Sequence, residues 1–348
     1  MSDASGLGLH LFLSAIVLSA WKSRRWSWIG PSEISIDELW LYPIKGCKGF
    51  QVASAKMTER GLEHDRAFMV VKSSNGMFVS QRGLPKMALL KTRLNENTNC
   101  LEVWASHKSD IGTLCVSLEE TSFHANGVRK VTVWGQECNA MDCGSEAGKW
   151  FTNSLESSED LRLVYMAKAS DFNRAAGDKE EDGIVSFADQ YPILLASLES
   201  LSGLNARLEK GKGVEMERFR PNVVVKGVKS AFTEDFWDSV EFLSSRSALE
   251  SDRRLQMNVP FPPCGRCKVP TNDINTGVLD PHNEPTRTMK GFRGGEHLGF
   301  EQRKLRKDVY FGIHLNAPVS MGKDYLQVGD KVVVKSTSTL IEKEKKLV

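Results

Sequence analysis

The densest run of reactive side chains is Pro262-Pro263-Cys264-Gly265-Arg266-Cys267, followed by Lys268-Val269-Pro270-Thr271-Asn272-Asp273. A Cys-x-x-Cys pair supports three chemistries. As half of a structural zinc site it needs two further ligands at suitable spacing. The next pair, Cys138 and Cys143, is wider, and no His-x-x-x-His lies nearby. As a thioredoxin-like redox pair it needs a βαβ setting, which this chain does not suggest. As a single soft-metal ligand it needs a thiolate, and Arg266 and Lys268 on either side of Cys267 favour that form. A pair of inert, buried cysteines stands beside all three readings.

Three further clusters carry cations. Tyr42-Pro43-Ile44-Lys45-Gly46-Cys47-Lys48-Gly49 is a strand end followed by a Gly-punctuated turn, able to present backbone N–H groups and ammonium charge to an anion. It lacks the Gly-x-x-x-x-Gly-Lys spacing of a Walker loop. His64-Asp65-Arg66 heads a strand, and Arg218-Phe219-Arg220-Pro221-Asn222 precedes the apolar run Val223–Val225. Each alone reads as a solvated strand end. Together they set cations at strand ends in both halves of the chain beside one activated thiol, a set suited to a ligand with a phosphate and a thiophilic metal.

The elements that position these residues are mostly strands. Ile36–Tyr42, Ala53–Thr58, Ala67–Lys72, Leu114–Leu118 and Val131–Trp134 are short β-forming runs separated by Gly, Asn, Ser or charged turns. Two helices interrupt them. One starts near Ser145 with Trp150, Phe151 and Leu155 on one face. The other has Ser197 as N-cap and Leu198, Leu201, Leu204 and Leu208 at helical spacing. Ala167–Asp182 reads as a polar, exposed loop and a domain junction. A final turn at Gly329–Asp330 leads into Lys331–Val334, and IEKEKKLV closes the chain as a charged, solvated tail. The expected architecture is mostly β (α+β), two β-barrel-like domains with inserted helices. Its expected divisions are 1–32, 33–166, 167–340 and 341–348.

Composition bounds the function. Of 348 residues, 41% are hydrophobic and 26% charged, which excludes wholesale disorder. Lys and Arg number 46 against 44 Asp and Glu, a net +2 too balanced for a dedicated nucleic-acid binder. The 7 cysteines, odd in number and irregular in spacing, do not make a disulfide framework. Gly6–Trp21 bears no formal charge apart from His10, and Lys22, Arg24, Arg25, Trp26 and Trp28 follow at once. The run is shorter than the ~20 residues of a usual spanning helix, but a basic cluster with interfacial tryptophans suits the cytosolic exit of an N-terminal anchor. A cleaved targeting segment and a buried core helix are the other readings.

Taken in order, YPIKGCKG, Asp65-Arg66, the RFRPN run and CGRCKVPTNDINTG resemble the MOSC superfamily, in particular its two-part, membrane-anchored, amidoxime-reducing mitochondrial members. The resemblance runs from about Ile36 to Val334. It implies a MOSC N-terminal β-barrel domain followed by a MOSC domain, with a molybdenum cofactor (Mo-molybdopterin) held between them. It makes Cys267 the molybdenum ligand. Lys45, Arg66, Arg220 and Asn222 match positions that hold the pterin and its phosphate, with Gly265 and Arg266 beside the ligand. Asp189 and Gln190, in Ala188-Asp189-Gln190-Tyr191-Pro192, align with a further cofactor-lining stretch. Mo is thiophilic and the phosphate dianionic, so these residue types suit the role. Two departures stand out. Gly46 replaces a common Ser, leaving only a backbone N–H, and Gln190-Tyr191 replaces small residues, which bears on substrate range.

By the same resemblance the chain is a molybdenum-dependent oxidoreductase that reduces N-hydroxylated compounds such as amidoximes and hydroxylamines, with nitrite as a further candidate. Its electrons come from NADH through NADH-cytochrome b5 reductase and cytochrome b5. No Cys-x4-Cys-x2-Cys or Gly-x-Gly-x-x-Gly is present, which fits an external donor. Asp273 is either a catalytic proton donor or orienter, or a turn residue in Asn272-Asp273-Ile274-Asn275. The alternative function is a molybdenum-cofactor carrier or sulfur-transfer protein without reductase turnover. The expected location is the cytosolic face of the mitochondrial outer membrane, with the endoplasmic reticulum as the other choice.

Overall fold

The computed structural model describes residues 33–177, 182–244, 254–266, 268–316 and 325–346. The apolar run Gly6–Trp21 and Cys267 lie outside the described residues. Residues 33–348 form one compact unit. Among the described residues no helix is long and apolar enough to cross a membrane.

The fold is mostly β. The larger sheet runs Arg254–Asn258, Trp237–Leu243, Lys331–Thr337, Ser35–Leu41, Val223–Lys226, Ile193–Ser197 and Ile313–Leu315, with Phe50–Val52 paired to Ser35–Leu41. Ser35–Leu41, the first strand among the described residues, therefore sits in the middle of a sheet built, apart from Phe50–Val52, from the second half. Its buried residues, Ile36, Leu39 and Leu41, break strict alternation because the pairing with Val223–Lys226 shifts between Ile36 and Glu38. A bulge of this kind rotates the next side chains onto the core face. Ile193–Ser197 and Val223–Lys226 pair in parallel, which demands a crossover. The helix Leu198–Asn205 supplies it, and Ser197 Oγ caps it by accepting from Ser200 N–H at 3.1 Å.

A second sheet runs Val128–Val133, Gln136–Asp142, Leu161–Tyr165, Phe68–Lys72 and Ile44–Lys45. Phe68, Met69, Val70 and Val71 are all buried, so this is a central strand with both faces covered. The helix Ser145–Ser154 lays Trp150 and Phe151 into the same core.

Two expectations are corrected. The segment read as an exposed loop buries Phe172, Arg174 and Ala176, and Arg174–Ala175 pairs with Ile184–Val185. The closing segment read as a solvated tail is instead a helix, Leu340–Lys345, started by a capping box between Thr339 and Glu342. Leu340, Lys343 and Glu344 are buried on one face. The Lys343 ammonium donates to the Trp237 carbonyl, and the Glu344 carboxylate accepts from the Glu301 and Gln302 N–H groups. Charge made the segment read as solvated, but its buried charges have partners, and paired charges can be buried.

Candidate active site

A cavity of about 1470 Å³ is lined from both halves of the chain. Lys45, Arg66 and Trp134 come from the first half, and Asp189, Arg220, Arg266 and His314 from the second.

Lys45 ends the two-residue strand that runs parallel to Phe68–Lys72, and this short pairing turns its side chain inward. Its ammonium donates to the Phe187 carbonyl at 2.8 Å, pairs with the Asp189 carboxylate and lies 5.3 Å from the Phe78 ring centroid. Burial lowers its pKa, and Asp189 opposes that shift. Asp189 also accepts from Trp134 Nε1–H at 2.8 Å. The segment carrying it is held by buried Arg174, which donates to the carbonyls of Ser186, Ala188 and Asp189 at 2.7–2.9 Å.

Arg66 and Arg220 both lie over the Tyr42 ring, their guanidinium carbons 4.5 and 4.3 Å from its centroid. Arg66 pairs with buried Asp65 at 2.5 Å and donates to the Arg220 carbonyl at 2.9 Å. Both arginines have left-handed backbones, φ 47° and 58°. Non-glycine residues reach that region at a cost, and such positions concentrate at functional sites. Arg266 follows Gly265, which bridges to Tyr310, and its guanidinium donates to the Phe311 and Phe219 carbonyls at 3.0 and 2.9 Å.

Nη2 of Arg220 and Nη2 of Arg266 are buried without a hydrogen-bond partner. Among the described residues neither guanidinium makes an ion pair. An unmet buried donor costs about 1–3 kcal/mol, more when charged. Both arginines line the cavity together with Lys45 and Arg66, and four cations around one cavity suit an anion with several acceptor oxygens.

Gly46 stands at φ 86°, and a Cβ there would meet Met87 Cε at 2.9 Å. Its carbonyl accepts from Gln81 Nε2 at 2.7 Å. A side chain at position 46 would therefore meet both a left-handed backbone and the Met87 methyl. Gln190 lines the cavity. Asn222 also reaches it but spends its amide on the chain, accepting from Leu194 N–H and donating to the Trp40 carbonyl, each at 3.2 Å. Asp273 is not among the cavity-lining residues. It accepts from the Asn275 and Thr276 N–H groups, both 2.9 Å, and pairs with Arg218, itself a lining residue, at 2.9 Å. Cys47 is buried, which pushes its thiol up to about 12 and leaves it inert.

Three residues carry more than their local sequence suggests. Arg174 lies in a stretch dominated by polar residues. Trp134 reads as the end of an ordinary strand. His314 sits in an apolar strand, lines the cavity 5.0 Å from the Tyr191 ring centroid and keeps Nδ1 buried without a partner. Burial, with the Arg266 cation behind it, pushes its imidazole down to about 3, so it is neutral. No residue in its immediate neighbourhood signals any of this.

Residues 33–158 match the MOSC N-terminal beta barrel domain, and residues 182–333 match the MOSC domain. Over 337 residues the chain is 33% identical to mitochondrial amidoxime reducing component 2 of Homo sapiens, covering 92% of this chain and 91% of that protein. It is 32% identical over 306 residues to the human mitochondrial amidoxime-reducing component 1, covering 86% and 82%. The molybdenum cofactor sulfurase of Oryza sativa subsp. japonica is 27% identical over 319 residues, 86% of this chain but 35% of that protein. With both domains matched in order and a one-third identity sustained along nearly the whole chain, this chain belongs to the MOSC-domain family of the mitochondrial amidoxime reducing components.

Proposed function

We propose that this chain binds a molybdenum cofactor and reduces N-hydroxylated compounds, amidoximes and hydroxylamines, with nitrite as a further substrate. The observation that carries the reading is that Lys45, Arg66, Arg220 and Arg266 all line one cavity, and that Arg220 and Arg266 make no ion pair among the described residues. A phosphate-bearing pterin offers the acceptors they lack. The name of one relative, molybdenum cofactor sulfurase, supports this cofactor, and the name amidoxime reducing component supports the substrate class.

In this reading Arg66, Arg220, Arg266 and Lys45 hold the cofactor's phosphate and pterin. Gly46 and Gly265 offer backbone N–H groups, and Asn222, Asp189 and Gln190 complete the wall. Cys267 supplies the thiolate ligand. When bound, the cofactor supplies two-electron redox chemistry toward an N–O bond. Asp273 positions Arg218 at the cavity wall through its ion pair. Neutral His314 adds a polar group to a wall otherwise rich in fixed cations. Electrons reach the site from NADH through NADH-cytochrome b5 reductase and cytochrome b5, and the N-terminal segment anchors the enzyme at the cytosolic face of the mitochondrial outer membrane.

The test begins with metal and pterin analysis of the full chain expressed in a host that makes molybdopterin. The expected result is near-stoichiometric molybdenum with pterin, and benzamidoxime reduction when cytochrome b5, its reductase and NADH are added. Molybdenum without turnover would favour a cofactor carrier, and absence of molybdenum would overturn the assignment.

A further inference from the structure

Trp134 breaks a local rule. The strands Val128–Val133 and Gln136–Asp142 are joined by two residues, Trp134 and Gly135, with Val133 paired to Gln136. Their φ values are 52° and 86°, so both central residues are left-handed. This is the signature of a type I′ hairpin turn, whose first central position strongly favours Asn, Asp or Gly. A tryptophan there is strained, and it also leaves the largest side chain 46% exposed at a hairpin tip. Departures from local consistency concentrate where function needs them.

The tip does not point away from the rest of the protein. Trp134 lines the cavity, its indole N–H donates to Asp189 at 2.8 Å, and Asp189 pairs with Lys45. The Phe78 ring stands edge-on with centroids 4.8 Å apart, and the Arg82 guanidinium carbon lies 4.4 Å from the indole ring centroid. Phe78 and Arg82 also line the cavity. The indole is thus fixed by three neighbours from outside its hairpin while almost half of it stays accessible.

Resting on the functional reading above, we propose that Trp134, Phe78 and Arg82 form an aromatic-ring subsite at the cavity wall, which selects N-hydroxylated substrates bearing a planar aromatic group over small aliphatic ones. The indole and the phenyl ring offer π faces and edges, and the guanidinium plane stacks on aromatic rings. Trp134 is a positioning residue here, holding the substrate's ring rather than its N–O bond.

Benzamidoxime and acetamidoxime share the reacting group and differ in ring against methyl. The test compares their Kd values by calorimetry, and their kcat/KM values with the cytochrome b5 chain, for the full chain and for Trp134→Asn and Trp134→Phe. Asn suits the left-handed turn position, so this variant keeps its fold and its melting temperature within about 3 °C. The expected result is a preference for benzamidoxime in the native chain that falls about tenfold in Trp134→Asn, the size of one lost aromatic contact. Trp134→Phe, which keeps a ring, should recover much of it, with molybdenum content unchanged throughout. Equal affinity of the native chain for both compounds, or equal losses for both in Trp134→Asn, would overturn the subsite. So would a fall in molybdenum content, which would place Trp134 on the cofactor instead. Selective binding without turnover would count against the reductase reading and leave the subsite standing.

Discussion

Arg220 donates through Nη1 to the carbonyl of Cys47, 173 residues earlier, at 2.6 Å. The bond ties the RFRPN run of the second half to the YPIKG turn of the first. It also sets the side chain so that Nη2 stays buried and unpartnered.

A buried guanidinium without a carboxylate is a stability cost accepted for a ligand. Arg220→Met is therefore expected to leave the cofactor-free protein as stable as the native chain or more so, while molybdenum per chain falls about tenfold or more through loss of a charged hydrogen bond. Thermal melts and metal analysis on the same preparation check both halves. A large drop in melting temperature would mean that the bond to Cys47, not the free nitrogen, is the main role of Arg220.

Cys267→Ala separates metal ligation from pterin retention. Reductase activity is expected to vanish, with pterin largely retained through the Lys and Arg contacts. Activity that survives the substitution would remove Cys267 from the ligand assignment.

Gly46→Ser is expected to destabilise this chain by about 1–2 kcal/mol, since φ 86° disfavours any Cβ and Met87 Cε lies 2.9 Å from where it would sit. Denaturant melts measure the loss. Met87→Ala in the same chain should recover the part due to collision and not the part due to the backbone.

Glu234 supplies a pH dependence. It is fully buried, accepting from the Ser197 and Ser200 hydroxyls at 3.0 and 2.6 Å, beside the buried Asp235–Arg293 pair. Burial, with Asp235 adding, pushes its pKa from 4.5 up to about 7. The folded state thus holds a proton that the unfolded state releases, and its contribution to stability falls as pH rises from about 4.5 to 7. Glu234→Gln is expected to stabilise by on the order of 2 kcal/mol at pH 8 and by little at pH 5. Melts of both proteins across that range decide it, and a gain that does not grow with pH would show that the carboxyl titrates normally.

Much of the local structure was legible in the sequence, because its signals are local. The runs around Ala67–Lys72 and Lys331–Val334 became strands, and Ser197 became a cap because its hydroxyl needs only a backbone N–H three residues away. The apolar stripe of Ser145–Ser154 went inward because burial of Trp150 and Phe151 requires it. Lys45, Gly46, Arg66 and Arg220 stand out in the sequence at strand ends and Arg266 as the cation beside Cys267, and all five line one cavity.

What the sequence by itself determined was therefore the inventory: the mostly β character, the donor and thiol residue types, and their order along the chain. The tertiary structure decided which of them meet. Ser35–Leu41 enters the far sheet because its edge pairs with Val223–Lys226, nearly two hundred residues on. Asp189 answers Lys45 across 144 residues, and Arg174 joins them from a segment whose composition reads as solvent. His314 becomes a neutral, buried cavity residue only when Tyr191 and Arg266 close around it. Periodicity and capping report energies exchanged within a turn or a strand. A buried charge or imidazole is governed by neighbours that the folded chain alone brings within reach.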